Sequence, residues 1–322
     1  LVSASDWHLF LAEISHEMNV YVPVDNGVHT EYSLFRNNDL QIRYNKPAPV
    51  SPLKIFFLPV KENVLNATHA KRMIVGIPAC DLKGLDLLDE IYLDEKFPDP
   101  VYEKNRENTI LVGTDCHDIR DTCHCTTYNV EPYPTVNADF TLASVNGKLI
   151  VSVKSARGNT VTDLLKKHFP VSEPGKDVLS EAVALRSAVR DRLETQNRNL
   201  PDYTQTGDLI SKSGDEIWER YAATCVSCGA CAAICPTCTC FLLIDRPGFG
   251  KIRQMDTCQY PGFERIAAGE DPLRKKAVRF RNRYMCKYVW KSEKFHAQAC
   301  TGCGRCIDGC IGSISKNKIF TE

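Results

Sequence analysis

Eight of the sixteen cysteines in this chain fall into two copies of one pattern. Cys225, Cys228, Cys231 and Cys235 read CVSCGACAAICP, and Cys300, Cys303, Cys306 and Cys310 read CTGCGRCIDGCI. Both are C-x2-C-x2-C-x3-C, a spacing that lets a tight loop offer three thiolates to three irons of one 4Fe-4S cube. The fourth cysteine is expected to start a short helix that turns toward the other cube, so the pairing is crossed. Cys225, Cys228, Cys231 and Cys310 are assigned to the first cluster, and Cys300, Cys303, Cys306 and Cys235 to the second. Gly229, Gly302 and Gly304 give the curvature that such a loop needs, and they allow backbone N–H groups to approach sulfur. Zinc knuckles or disulfides are the competing readings, and the doubled four-cysteine spacing disfavours both.

Four more cysteines can converge: Cys80 in GIPACDLKGL, Cys116 in GTDCHD, and Cys123 with Cys125 in DTCHC. Four thiolates suffice for a third 4Fe-4S cluster, against the alternatives of reduced core cysteines or a zinc site. His117 and His124 can replace a thiolate, but the preferred role for both is hydrogen bonding behind the ligands. Cys238, Cys240, Cys258 and Cys286 remain without a settled role. They are read as buried structural thiols, with a fourth cluster as the alternative.

These residues need a scaffold. Residues 1–170 read as a mixed α/β domain with strand candidates at 54–60 (KIFFLPV), 73–77 (MIVGI) and 109–113 (TILVG). A helix is expected over 81–92, and Asn146-Gly147 marks a hairpin within 140–153. Cys80 and Cys116 each follow a strand candidate, which places both at the carboxyl edge of a parallel sheet. The helix start at Asp81 would put backbone donors and a positive dipole end beside an anionic cluster. After the boundary-like VSEPGKD, the spacing of Leu179, Ala182, Leu185, Val189 and Leu193 predicts a helical connector over 171–224 that includes a second helix at 215–223. The third part, 225–322, is a ferredoxin-like dicluster domain. Sixty-four residues, 236–299, separate its two repeats, and 241–299 form a long insertion. Within the insertion, residues 274–291 carry eight Lys or Arg and no acid. Such a basic collar suits negatively charged clusters or an acidic partner, and the bland alternative is a solvated face.

Composition excludes several classes. With 322 residues, 43% hydrophobic and 25% charged, the chain is long enough for a sizeable core and is not disordered. Forty basic residues match forty acidic ones, which argues against nucleic acid. No apolar run reaches the roughly 20 residues of a membrane span. The first twenty residues lack the apolar stretch of a signal peptide, so a reducing cytoplasmic location is expected, where many thiols mean metal. No dinucleotide fingerprint, P-loop or nucleophile triad is legible.

Six stretches carry a family resemblance: GIPACDL, CHDIRDTCHC, CVSCGACAAICPTCTCF, KIRQMDTC, RFRNRYMCKY and CTGCGRCIDGC. On these the chain resembles the family of electron-transfer subunits that includes the beta subunit of sulfhydrogenase and its counterpart in anaerobic sulfite reductase. Ala79 and Cys286 depart from the usual pattern. The resemblance implies an N-terminal cluster on Cys80, Cys116, Cys123 and Cys125, hence three 4Fe-4S clusters in all. It further implies a non-catalytic subunit between a flavoprotein (FAD, NAD(P)H or ferredoxin-linked) and a catalytic hydrogenase or sulfite reductase subunit. The alternative, motivated by the spare cysteines, is a sulfur- or disulfide-reducing subunit with its own catalytic cluster. A redox-sensing module is a further class, but no effector or DNA-binding segment is found for it.

Overall fold

The computed structural model describes residues 1–36, 41–46 and 48–322. Its strands are β1 (Val2–Ser3), β2 (Asn19–Asp25), β3 (Thr30–Leu34), β4 (Lys61–Asn63), β5 (Arg72–Ile77), β6 (Thr109–Thr114), β7 (Phe140–Val145), β8 (Lys148–Val153), β9 (Phe241–Arg246) and β10 (Gly250–Met255). Its helices are α1 (Ala4–Ile14), α2 (Ala79–Tyr92), α3 (Pro100–Glu107), α4 (Ala156–His168), α5 (Lys176–Asn197), α6 (Tyr203–Lys212), α7 (Asp215–Thr224), α8 (Ala230–Ala233), α9 (Lys276–Met285), α10 (Lys291–Phe295), α11 (Arg305–Asp308) and α12 (Lys316–Ile319).

The N-terminal part is a seven-stranded sheet in the order β1-β8-β7-β6-β5-β2-β3. Strands β2, β5, β6 and β7 run parallel at its centre, and β3 and β8 are antiparallel to their neighbours. The central strands are apolar because helices cover both faces. On one face α1 and α4 pack Trp7, Phe10, Leu11, Val161 and Leu165 against Val75, Val112 and Phe140. On the other, α2 brings Leu82, Leu85 and Leu88 against Ile74, Ile77 and Leu111. The β7–β8 hairpin turns at Asn146 (φ 49°) and Gly147 (φ 74°), the left-handed pair that an Asn-Gly turn favours.

The stretch 54–60, expected as a strand, is a 3-10 turn over Leu53–Phe56. Its apolar residues are buried together beside α2 rather than alternately, and prolines at 52 and 59 bracket the segment. A short apolar run does not distinguish these outcomes by periodicity. The expected helix at 81–92 begins two residues earlier, at Ala79, with Pro78 as its N-cap.

Helix α5 lies along the N-terminal part, burying Ala182, Val189 and Leu193. Arg186 grips Asp115 at the end of β6 through Nε–Oδ2 (2.7 Å) and Nη2–Oδ1 (3.2 Å). Helix α7 buries Trp218 against Phe280 and Tyr284 of α9. In the insertion, β9 and β10 form an antiparallel hairpin whose inner strand β10 pairs with β4, so one small sheet is built from both ends of the chain.

Candidate metal centres

Both repeats adopt the same backbone. Ser227 (φ 54°) and Gly229 (φ 74°) in the first match Gly302 (φ 65°) and Gly304 (φ 78°) in the second, all left-handed. Each loop then enters a one-turn helix, α8 or α11, capped by that second glycine. The third cysteine of each repeat, Cys231 or Cys306, lies on this helix, and the fourth follows it. The expectation that the fourth cysteine starts the helix is therefore corrected. The left-handed glycine two positions before the third cysteine already launches the turn, and Cys235 and Cys310 sit where it has ended.

A cavity is lined by Cys225, Cys228, Cys231 and Cys310, with Cys306 also at its wall. The Ser227 N–H donates to Cys225 Sγ (3.4 Å) and the Ile314 N–H to Cys310 Sγ (3.3 Å). Burial pushes the Cys231 thiol up in pKa, opposed by Arg283. The crossed partner Cys310 thus stands with the first loop.

The second set centres on the buried Cys300 and Cys235 and the half-buried Cys303, with cations beside them. The Lys287 ammonium donates to Cys235 Sγ (3.1 Å), Thr237 Oγ1 (2.7 Å) and the Ala299 carbonyl (2.5 Å). Burial opposes ionisation of Cys300, yet Lys316, His124 and Lys287 together hold its thiol well below the ordinary range. Burial carries Cys303 the other way, up to about 12.

Cys80 and Cys116 do follow β5 and β6 at the carboxyl edge of the sheet, as expected. Cys116 faces Cys125 and Cys123, while Cys80 faces Cys303 and Cys116. The Arg120 N–H donates to Cys123 Sγ (3.4 Å). From α5, Gln196 Nε2 and Asn197 Nδ2 donate to the Cys123 carbonyl at 2.8 and 2.9 Å, fixing this loop. His124 is fully buried; its Nδ1 donates to the Thr122 carbonyl (2.7 Å), and its N–H donates to the Gly302 carbonyl (2.9 Å). His117 is half-buried near Asp115 and Arg186.

The N-terminal thiols abut the second repeat. A Cβ on Gly302 would lie 2.5 Å from the Cys125 Cα, and one on Gly304 2.5 Å from the Thr122 carbonyl oxygen, so only glycine permits this approach. Beside Cys80, the buried Asp81 takes Arg305 Nη1 and Nη2 at 2.7 Å each and the Leu53 N–H at 3.2 Å. Arg305 Nε completes the arrangement by donating to the Pro49 carbonyl (2.6 Å).

Among the described residues, the buried polar atoms around these loops that have no partner include Arg120 Nε, Thr122 Oγ1, Arg283 Nε and Thr301 Oγ1. A stranded donor in a packed interior costs about 1–3 kcal/mol, so a cluster of them around thiols points to a bound acceptor. His124 and Tyr288 both face Cys300. An iron–sulfur cube, which carries sulfides as acceptors, fits unpartnered donors around thiols.

The basic segment 274–291 splits by face. Arg279, Arg283, Lys287 and Lys291, four residues apart, all bond to backbone or side chains inside: Arg279 to the Leu273 carbonyl, Arg283 to the Cys231 carbonyl, Lys287 to Cys235 and Lys291 to the Thr237 carbonyl. Arg274, Lys275 and Lys276 stay exposed. Lys54 and Arg305 also shape the site but escaped the sequence reading, since charged residues are seldom buried and nothing local marks them, and Asp81, expected only as a helix start, acts through its buried carboxylate.

Residues 224–314 match the 4Fe-4S dicluster domain family. Over 327 aligned positions, covering 97% of this chain and 94% of the relative, the sequence is 25% identical to sulfhydrogenase 2 subunit beta of Pyrococcus furiosus. No solved structure matches. Among the described residues, no helix is long and apolar enough to cross a membrane. The chain is thus a mixed α/β protein with a C-terminal 4Fe-4S dicluster domain, and over nearly its whole length it is a homologue of a sulfhydrogenase beta subunit.

Proposed function

We propose that this chain is an iron–sulfur electron-transfer subunit with three 4Fe-4S clusters. Cys225, Cys228, Cys231 and Cys310 hold the first, Cys300, Cys303, Cys306 and Cys235 the second, and Cys80, Cys116, Cys123 and Cys125 the third. Bound clusters of this kind store and pass single electrons. The chain's own residues set their surroundings. Lys287 and Lys316 bring positive charge to Cys300, and Lys287 and Lys54 to Cys235, which favours the reduced, more negative state. Arg305 and Asp81 fix the spacing between the N-terminal thiols and the second repeat.

The observation that carries this reading is the continuity of the thiol sets: Cys80 faces Cys303, and Cys306 reaches the wall of the cavity lined by Cys225 and Cys310. Such a row suits a conductor better than a reaction centre. The name of the Pyrococcus relative, a sulfhydrogenase subunit, supports a place in a multi-subunit oxidoreductase. There the chain would link a flavoprotein subunit (FAD, NAD(P)H or ferredoxin-linked) to a catalytic hydrogenase or sulfite reductase subunit. We place it in the cytoplasm, where a reducing milieu keeps sixteen cysteines unoxidised.

The decisive variant is Cys123→Ser. It should lose about four irons per chain while the dicluster EPR signals persist, and electron passage between the two partner subunits should stop. Unchanged iron in that variant would remove the third site from the scheme.

A further inference from the structure

Three cysteines between the two repeats meet one another beside Cys235 of the second set. Cys238 lies against Cys235, Cys258 lies against Cys240, and Cys238 is also a neighbour of Cys258. They sit at the root of the β9–β10 hairpin, where the Asp256 N–H donates to the Cys240 carbonyl (3.0 Å). Gln259 Nε2 approaches Cys258 Sγ at 3.7 Å. A pocket lined by Lys54, Tyr92, Cys238, Cys240, Phe241 and Arg253 opens beside them.

The cations here face thiols and backbone carbonyls instead of carboxylates. Lys54 is 2% exposed and donates to the carbonyls of Ala232 (3.1 Å) and Cys238 (2.8 Å). Lys291 donates to the Thr237 carbonyl (2.8 Å) and Thr239 Oγ1 (2.9 Å). Among the described residues neither ammonium pairs with a carboxylate, in contrast to the buried Arg253, which pairs with Glu62 and Asp99, and the buried Arg305, which pairs with Asp81. The anionic groups nearest Lys54 are Cys238 and Cys235, and Lys291 faces Cys240. Lys287 already serves Cys235. Two further buried or half-buried cations facing three further thiols mark a second concentration of negative charge.

We propose that Cys238, Cys240 and Cys258 hold a fourth iron–sulfur cluster beside Cys235, with Lys54 and Lys291 balancing its charge. An anionic iron–sulfur core suits thiols that face two buried or half-buried cations. Cys286 stays outside the set: it is half-buried at the end of α9, and among the described residues no hydrogen bond joins it to the three. The site lies where β4 and Lys54 of the N-terminal part meet the insertion, so it joins the two ends of the chain at a place separate from the Cys80–Cys303 contact.

The test compares iron and acid-labile sulfide in the anaerobically reconstituted full chain. The triple variant Cys238→Ala, Cys240→Ala, Cys258→Ala should lose about four of each relative to wild type, and Cys286→Ala none. Because the comparison is a difference, it is read independently of Cys123→Ser and of the N-terminal site. Where the triple variant fails to fold, Cys258→Ser alone should show the same loss. Full retention of iron overturns the proposal, as does stoichiometric zinc or a Cys240–Cys258 disulfide in the wild-type holoprotein.

Discussion

Removing the carboxylate of Asp81 should destabilise the junction between the N-terminal thiols and the second repeat more than any surface change in the chain. The side chains of Asp81 and Arg305 are 0% and 1% exposed, and Asp81 accepts three hydrogen bonds, two of them from Arg305. In Asp81→Ala the guanidinium keeps only the Pro49 carbonyl, and the Leu53 N–H loses its acceptor. Breaking a buried pair from one side costs about 3–5 kcal/mol, because a charge is left in a low-dielectric interior without its counter-ion. Arg305→Met should cost a similar amount by stranding the carboxylate. The double variant removes both charges, so its cost should fall short of the sum of the singles by about 2 kcal/mol or more. The assay is anaerobic denaturant unfolding of the holoprotein, followed by loss of visible iron–sulfur absorbance and by far-UV circular dichroism. Single variants within about 1 kcal/mol of wild type, or a strictly additive double variant, would refute the reasoning.

Lys287→Met takes a buried cation away from Cys235 and should lower the potential of the second cluster by about 60 mV or more, one decade of equilibrium for a one-electron couple; an unchanged or higher midpoint in an EPR-monitored titration contradicts this. Gly302→Ala forces a methyl group into the Cys125 backbone, so a loss of about 1–3 kcal/mol is expected together with reduced iron content. Gly147→Ala, at a left-handed turn with open space around it, should cost about 1–2 kcal/mol of backbone strain only, with full iron retained. Equal iron loss in the two glycine variants would argue against the close packing at Gly302. Asn197→Ala withdraws one of two donors from the Cys123 carbonyl and should cost about 1 kcal/mol without loss of iron; cluster loss in that variant would mean the loop depends on α5 far more than one hydrogen bond implies.

The dicluster was legible because its information is local: four cysteines within eleven residues, twice, with glycines where the backbone must turn left-handed. Strands β5 and β6, helix α2 and the Asn-Gly hairpin were legible for the same reason. What escaped was set by distant partners. Residues 54–60 are as apolar as a strand, but their packing beside α2 decided otherwise. The pairing of β10 with β4 has no local signal, and β9 carries Phe241, Leu242 and Leu243 exposed, the reverse of the alternation that betrays a strand. Lys54 reads as a surface residue in sequence, and its burial makes sense only once Cys238 is seen above it. The basic run was legible as a collar, whereas the division into inward residues four apart and outward ones required the helix axis.

The clamp between Asp81 and Arg305 also has a timing. The two residues are 224 positions apart, so at ~5–20 residues per second a ribosome needs about 10–45 s to follow one with the other. From the time Cys125 is made until residue 302 follows it, Cys80, Cys116, Cys123 and Cys125 are all present without Gly302 and Gly304, which pack over Cys125 and Thr122. Until then the N-terminal thiols lack the cover that the second repeat supplies. A truncation that spares all of the N-terminal cysteines but stops before residue 300 should therefore fail to retain metal on them.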